Sequence, residues 1–125
     1  MFVINDDMTI YATRGDTGVF NVMAKLDDTD YTFRKDDVVR FKVFEKKKCD
    51  RVVLQKDVKV TEETTTVQIT VEDSETKIGD IINKPVDYWY EIELNPEKNA
   101  QTILGYDEDG PKIFRLFPEG GEIYE

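Results

Sequence analysis

The chain of 125 residues contains no histidine. That removes the usual general base near neutral pH and the commonest metal ligand. Ser-His-Asp, Cys-His and zinc-imidazole constellations are therefore excluded. Serine is nearly absent as well. Ser74 stands alone in the acidic stretch Glu72-Asp73-Ser74-Glu75, where carboxylates would oppose a negatively charged transition state. The single cysteine, Cys49, permits no internal disulfide and fits a reducing compartment. Lys46, Lys47, Lys48 and Arg51 surround it, and positive charge lowers a thiol pKa, but no positioned base is available to it. Cys49 reads as a hairpin residue. No apolar run approaches the roughly 20 residues that span a bilayer. The opening Met1-Phe2-Val3-Ile4-Asn5-Asp6-Asp7 lacks the basic and apolar regions of a signal peptide, so synthesis in the cytoplasm is expected. Basic residues are the minority, 17 against 27 acidic, for a net charge of −10. Such a charge opposes contact with the phosphates of DNA and with anionic membranes. Neither a direct nucleic-acid partner nor a membrane is expected, and solubility is the plain reading of the charge.

What remains is a chain rich in apolar and aromatic residues, 39% hydrophobic with seven Phe and six Tyr. A chain of this length buries roughly two-thirds of its unfolded surface, enough for a core without a metal or disulfide. One domain over residues 1–118 and a loose tail over 119–125 are expected, with no cofactor. The clearest pattern is Lys84-Pro85-Val86-Asp87-Tyr88-Trp89-Tyr90-Glu91-Ile92-Glu93-Leu94. Tyr88, Tyr90, Ile92 and Leu94 take alternate positions, with Trp89, Glu91 and Glu93 between them. Successive side chains of a strand point to opposite faces, so this is a half-buried strand.

The same period predicts strands over Thr9 to Thr13, Val19 to Leu26, Val38 to Glu45, Arg51 to Val60, Thr65 to Glu72, Thr102 to Tyr106 and Lys112 to Phe117. Arg14-Gly15-Asp16-Thr17-Gly18, Asp27-Asp28-Thr29-Asp30, Lys46 to Asp50 and Asn95 to Asn99 read as turns. Tyr31 and Phe33 read as a short extended link. Asp73 to Lys84 carries Ile78, Ile81 and Ile82 at helical spacing, but Gly79 and Pro85 limit it to a loop with one helical turn. Strands about ten residues apart, each with one apolar face, indicate two sheets packed face to face or a barrel.

The order of these segments carries a resemblance. Arg14-Gly15-Asp16-Thr17 precedes an alternating strand. Tyr88-Trp89-Tyr90-Glu91-Ile92-Glu93-Leu94 leads to Thr102-Ile103-Leu104-Gly105 and then to Ile113-Phe114-Arg115-Leu116. From about Thr9 to Pro118 the chain resembles the immunoglobulin-like N-terminal domain of upper-baseplate proteins in tailed phages of Gram-positive hosts. It is also similar to small proteins encoded among the tail genes of gut phages and prophages. The resemblance implies an all-β, immunoglobulin-like antiparallel β-sandwich of about seven to eight strands. It also implies a virion location and a role in assembly rather than catalysis. Upper-baseplate proteins commonly continue into further domains, which a chain ending at Glu125 does not, so an accessory subunit is the expectation.

Candidate binding residues fall into two groups. Trp89 shares a strand face with Glu91 and Glu93. Aromatics dominate binding hot spots, so an exposed Trp89 would anchor a partner, although its large apolar area favours burial under Asp73 to Lys84. Asp107, Glu108 and Asp109 form an acidic cluster before Gly110. Their oxygens suit calcium in type, but EF-hand spacing is missing and an acidic turn is the simpler reading, as it is for Asp27, Asp28 and Asp30. Arg14-Gly15-Asp16 spells an integrin-recognised tripeptide, and turn formation explains it more simply.

The expected function is binding to other virion subunits, or self-association, through sheet edges and the Trp89 face. Two alternatives read the surface differently. An acidic inhibitor would present the carboxylates of Asp107 to Asp109 and Glu72 to Glu75 in place of nucleic-acid phosphates to a basic host protein. A carbohydrate-binding attachment module would stack Trp89 and tyrosines on sugars.

Overall fold

The computed structural model describes residues 1–46 and 51–120. Cys49, Lys47 and Lys48 lie outside the described residues, as do 121–125 of the expected tail. The chain forms β1 (Phe2–Ile4), β2 (Ile10–Thr13), β3 (Gly18–Val22), β4 (Ala24–Leu26), β5 (Thr29–Tyr31) and β6 (Val38–Phe44). There follow β7 (Val52–Lys59), β8 (Val67–Val71), β9 (Val86–Leu94), β10 (Gln101–Leu104) and β11 (Lys112–Phe117). No α-helix occurs among the described residues.

The large sheet has the order β1-β2-β11-β9-β6-β7. β10 shares the β11 edge of β9, pairing with its C-terminal half while β11 pairs with its N-terminal half. A second sheet consists of β3 and β8 alone, and β4–β5 is a small hairpin. β3 and β8 pack across the large sheet. Phe20 of β3 meets Phe41 of β6 edge-on, with ring centroids 5.2 Å apart, and Ile69 and Val71 of β8 enter the same core. The strands β3 and β8 in one sheet, facing β6, β9 and β11 in the other, give an all-β, sandwich-like fold.

One pair departs from the antiparallel expectation. β2 runs parallel to β11, Ile10 opposite Phe114. The chain leaves β2 for the opposite sheet, so β2 need not reverse to find its neighbour. Among the described residues the strand number rises to eleven, for local reasons. The run Val19 to Leu26 divides at Met23, where the chain passes from β3, paired with β8, to β4, paired with β5. Thr29 is already strand, because Asp27 and Asp28 at φ 52° and 62° make a two-residue hairpin loop with both positions left-handed. β1 has only three residues, too few for a period to be read.

The alternation in β9 holds. Tyr88, Tyr90, Ile92 and Leu94 are buried in the core, and Trp89, Glu91 and Glu93 face outward. Asp73 to Lys84 contains one turn, with the Thr76 N–H donating to the Glu72 carbonyl at 3.2 Å. Thr76 is wholly buried, and its hydroxyl accepts from the Gly15 N–H and donates to the Asp16 carbonyl. Ile78 enters the core. On the neighbouring edge Lys56, inward-facing on β7, places Nζ 2.8 Å from a Glu75 oxygen and ties β7 to the loop after β8. At the start of the expected tail, Glu119 packs its carboxylate against Gly15 and lies 3.9 Å from Lys77 Nζ.

Candidate protein-binding surfaces

Trp89 lies on the outer face of the large sheet, between Phe44 of β6 and Ile113 of β11. It is half-buried by these neighbours. The hydrogen bonds of Asp73 to Lys84 run to the 14–16 turn and to Lys56. Phe44, paired with Trp89, is only 3% exposed, and the Lys42 ammonium lies 5.6 Å from its ring centre.

The glutamates beside Trp89 are not free. Lys42 places Nζ 3.3 Å from Glu91 and 2.7 Å from Glu93. Burial favours the neutral amine, but the two carboxylates outweigh it and hold the Lys42 pKa above its ordinary value. Farther along the face Arg40 grips Asp57 with two bonds of 2.9 and 3.0 Å and also reaches Glu97. The Arg40 guanidinium keeps the Asp57 carboxyl below its ordinary value. Arg115 pairs in the same forked way with Asp87 and stacks over Tyr11. The outer face is therefore a lattice of cross-strand ion pairs around a half-buried apolar row.

The second predicted group forms a self-contained turn. Asp107 accepts the Asp109 N–H on one oxygen and the Lys112 ammonium, 2.8 Å away, on the other. Lys112 is the main reason its pKa is lowered. Gly110 at φ +90° closes the loop by bonding back to Asp107. Glu108 and Asp109 are exposed. No hydrogen bond or ion pair joins this turn to Glu91 or Glu93 among the described residues, so the two groups remain separate. No cluster of three metal-ligating side chains occurs among the described residues. The Arg14-Gly15-Asp16 tripeptide is not displayed for adhesion. Arg14 is 6% exposed and donates to the Gly79 carbonyl, and Asp16 pairs with the N-terminal amine.

A third surface escaped the sequence reading. At one edge of the sandwich the two sheets do not close. An apolar cleft of about 230 Å³ opens there, walled by Phe20 and Val22 on one side and by Tyr90, Ile92 and Leu104 on the other. Ile4, Met8 and Met23 stand at its mouth, 37%, 42% and 72% exposed. The Tyr90 hydroxyl donates to the Met8 carbonyl and anchors the segment leading out of β1. The cleft depends on the break at Met23 and on the placement of β1, neither of which a period of two reveals. The visible signal was three methionine and isoleucine residues at positions where alternation lapses.

No protein-family model, curated protein or solved structure matches the chain.

Proposed function

We propose that this chain is a non-enzymatic binding protein of a tailed phage or prophage, docking onto other tail or baseplate subunits as a structural or accessory component of the virion. The observation that carries the binding part is the convergence of Ile4, Met8 and Met23 at the mouth of an open apolar cleft. Exposed apolar groups grouped in this way mark interaction sites, whereas single ones do not. The virion part rests on the resemblance carried by the order of segments from Arg14 to Leu116.

Nucleic-acid mimicry is the weaker reading. In the clusters that would stand in for phosphates, Glu72 to Glu75 and Asp107 to Asp109, Glu75 and Asp107 are each held by a lysine of the same chain, which leaves Glu72, Asp73, Glu108 and Asp109 exposed. The experiment is purification of phage particles from a culture expressing an epitope-tagged copy, with cross-linking of the assembled tails. Tag in the particle fraction, with cross-links from residues around the cleft to another tail subunit, is the expected result. A tag found solely in host lysate, bound to a basic host protein in a salt-sensitive way, would replace this reading with mimicry.

A further inference from the structure

The cleft lies beside a strand with an unused edge. β3 pairs with β8 on one side, and no other backbone hydrogen bond is made by Gly18–Met23 among the described residues. In a strand paired on one side only, the backbone N–H and C=O groups directed to the other side remain open to a further strand. One end of this edge is closed: the Phe2 ring stacks on Phe20 and occupies the space that a Gly18 side chain would need. The Asn21–Met23 end is open. There Asn21 and Met23 are exposed and Val22 lines the cleft.

The chemistry of an occupant follows from three features. An open strand edge calls for an extended backbone. A cleft of about 230 Å³ is smaller than the roughly 300–1,000 Å³ that enclose small-molecule ligands, and suits apolar side chains projecting from such a backbone. The neighbouring surface is acidic. Asp6 and Asp7, exposed between Ile4 and Met8, line an adjoining concavity that shares Ile4 with the cleft, and Asp7 also accepts the Thr9 N–H. A second copy would bring an equal charge of −10 and the same acidic surface.

We infer that β3 receives an extended segment of a different protein. Its backbone adds to the Asn21–Met23 end, alternate apolar side chains enter the cleft, and a lysine or arginine meets Asp6 and Asp7. This rests on the binding function proposed above and specifies its partner's chemistry.

The test is selection of a displayed library of random nonapeptides against the full chain, followed by titration of enriched peptides made synthetically. Enrichment of apolar residues at alternate positions with a basic residue at one end is expected. Replacing that basic residue by glutamate should weaken binding at least about tenfold at low salt. The Met8→Glu and Met23→Glu variants should lose binding about tenfold or more. Both positions are exposed, so near-ultraviolet circular dichroism should confirm an unchanged fold. Asp6→Asn with Asp7→Asn should erase the preference for the basic peptide, and amide exchange should slow in Asn21–Met23 on binding. No enrichment, indifference to the charge of the peptide, or protection confined to the Trp89 face would overturn the inference. Failure here with the tag present in virions removes only this inference. Peptide binding without the tag in virions removes only the virion reading.

Discussion

At the scale of single residues, Gly18 and Asp37 show how local chemistry sets the edges of this sandwich. A β-carbon on Gly18 would lie 2.1 Å from the Phe2 ring, so glycine is what allows β1 to lean against β3. Gly18→Ala should cost about 1–3 kcal/mol in urea unfolding, the usual range for overpacking. In a Phe2→Ala background the same change should cost much less. Equal cost in both backgrounds would show that the ring is not the obstacle. Asp37 is 9% exposed and accepts bonds from the Tyr31 hydroxyl at 2.7 Å, the Arg34 N–H at 2.9 Å and the Asn95 amide at 3.1 Å. Burial favours its neutral form, but these donors together prevail and its pKa falls below the ordinary 3.8. A depressed carboxylate stabilises the fold above its unfolded pKa and loses that contribution as pH falls through the folded value. Asp37→Asn should therefore cost about 1–3 kcal/mol at neutral pH. The gap to the parent protein should narrow as pH falls below the ordinary 3.8 and through the lower folded value. A gap independent of pH would assign the loss to shape rather than charge.

At the scale of elements, the β4–β5 hairpin is held by two aspartates in a conformation that glycine and asparagine adopt more readily. Asp27→Asn with Asp28→Gly should raise stability by about 1 kcal/mol, because left-handed backbone is costly for most L-residues. Thermal unfolding checks this. A lowered melting temperature would mean that the aspartates make stabilising contacts beyond the turn. The hairpin was hidden in the sequence because the polar run through Asp30 resembles a longer loop. Its two-residue register became visible only once Leu26 was seen opposite Thr29. β9, by contrast, was fully legible. Nine residues of strict alternation between two flanking strands leave one arrangement that buries the tyrosines.

At the scale of the whole molecule, a net charge of −10 on a small sandwich produces self-repulsion. Raising sodium chloride from about 20 mM to about 500 mM should screen it and raise the melting temperature. The cross-strand pairs around Lys42, Arg40 and Arg115 are screened as well, but exposed pairs contribute only about 0–1 kcal/mol each. A melting temperature that falls with salt would show that this lattice outweighs the repulsion. The lattice also explains why Trp89, Glu91 and Glu93, though correctly placed on the outer face, make a less open surface than their sequence suggests. Alternation assigns residues to a face, but the partners found there come from β6 and β11, far away in the chain.

Sequence alone determined the fold class and which side chains of the long strands turn inward, since both follow from a period of two that each strand carries within itself. The exclusion of histidine-based chemistry needed nothing more than the composition. Tertiary structure decided where the sandwich stays open. Met8, Met23 and Ile4 become one surface because β3 has a neighbour on a single side, β1 leans on the Gly18 gap, and the chain changes sheets at Met23. Those are relations between segments distant in the chain, set by how two sheets meet, and no local pattern encodes them.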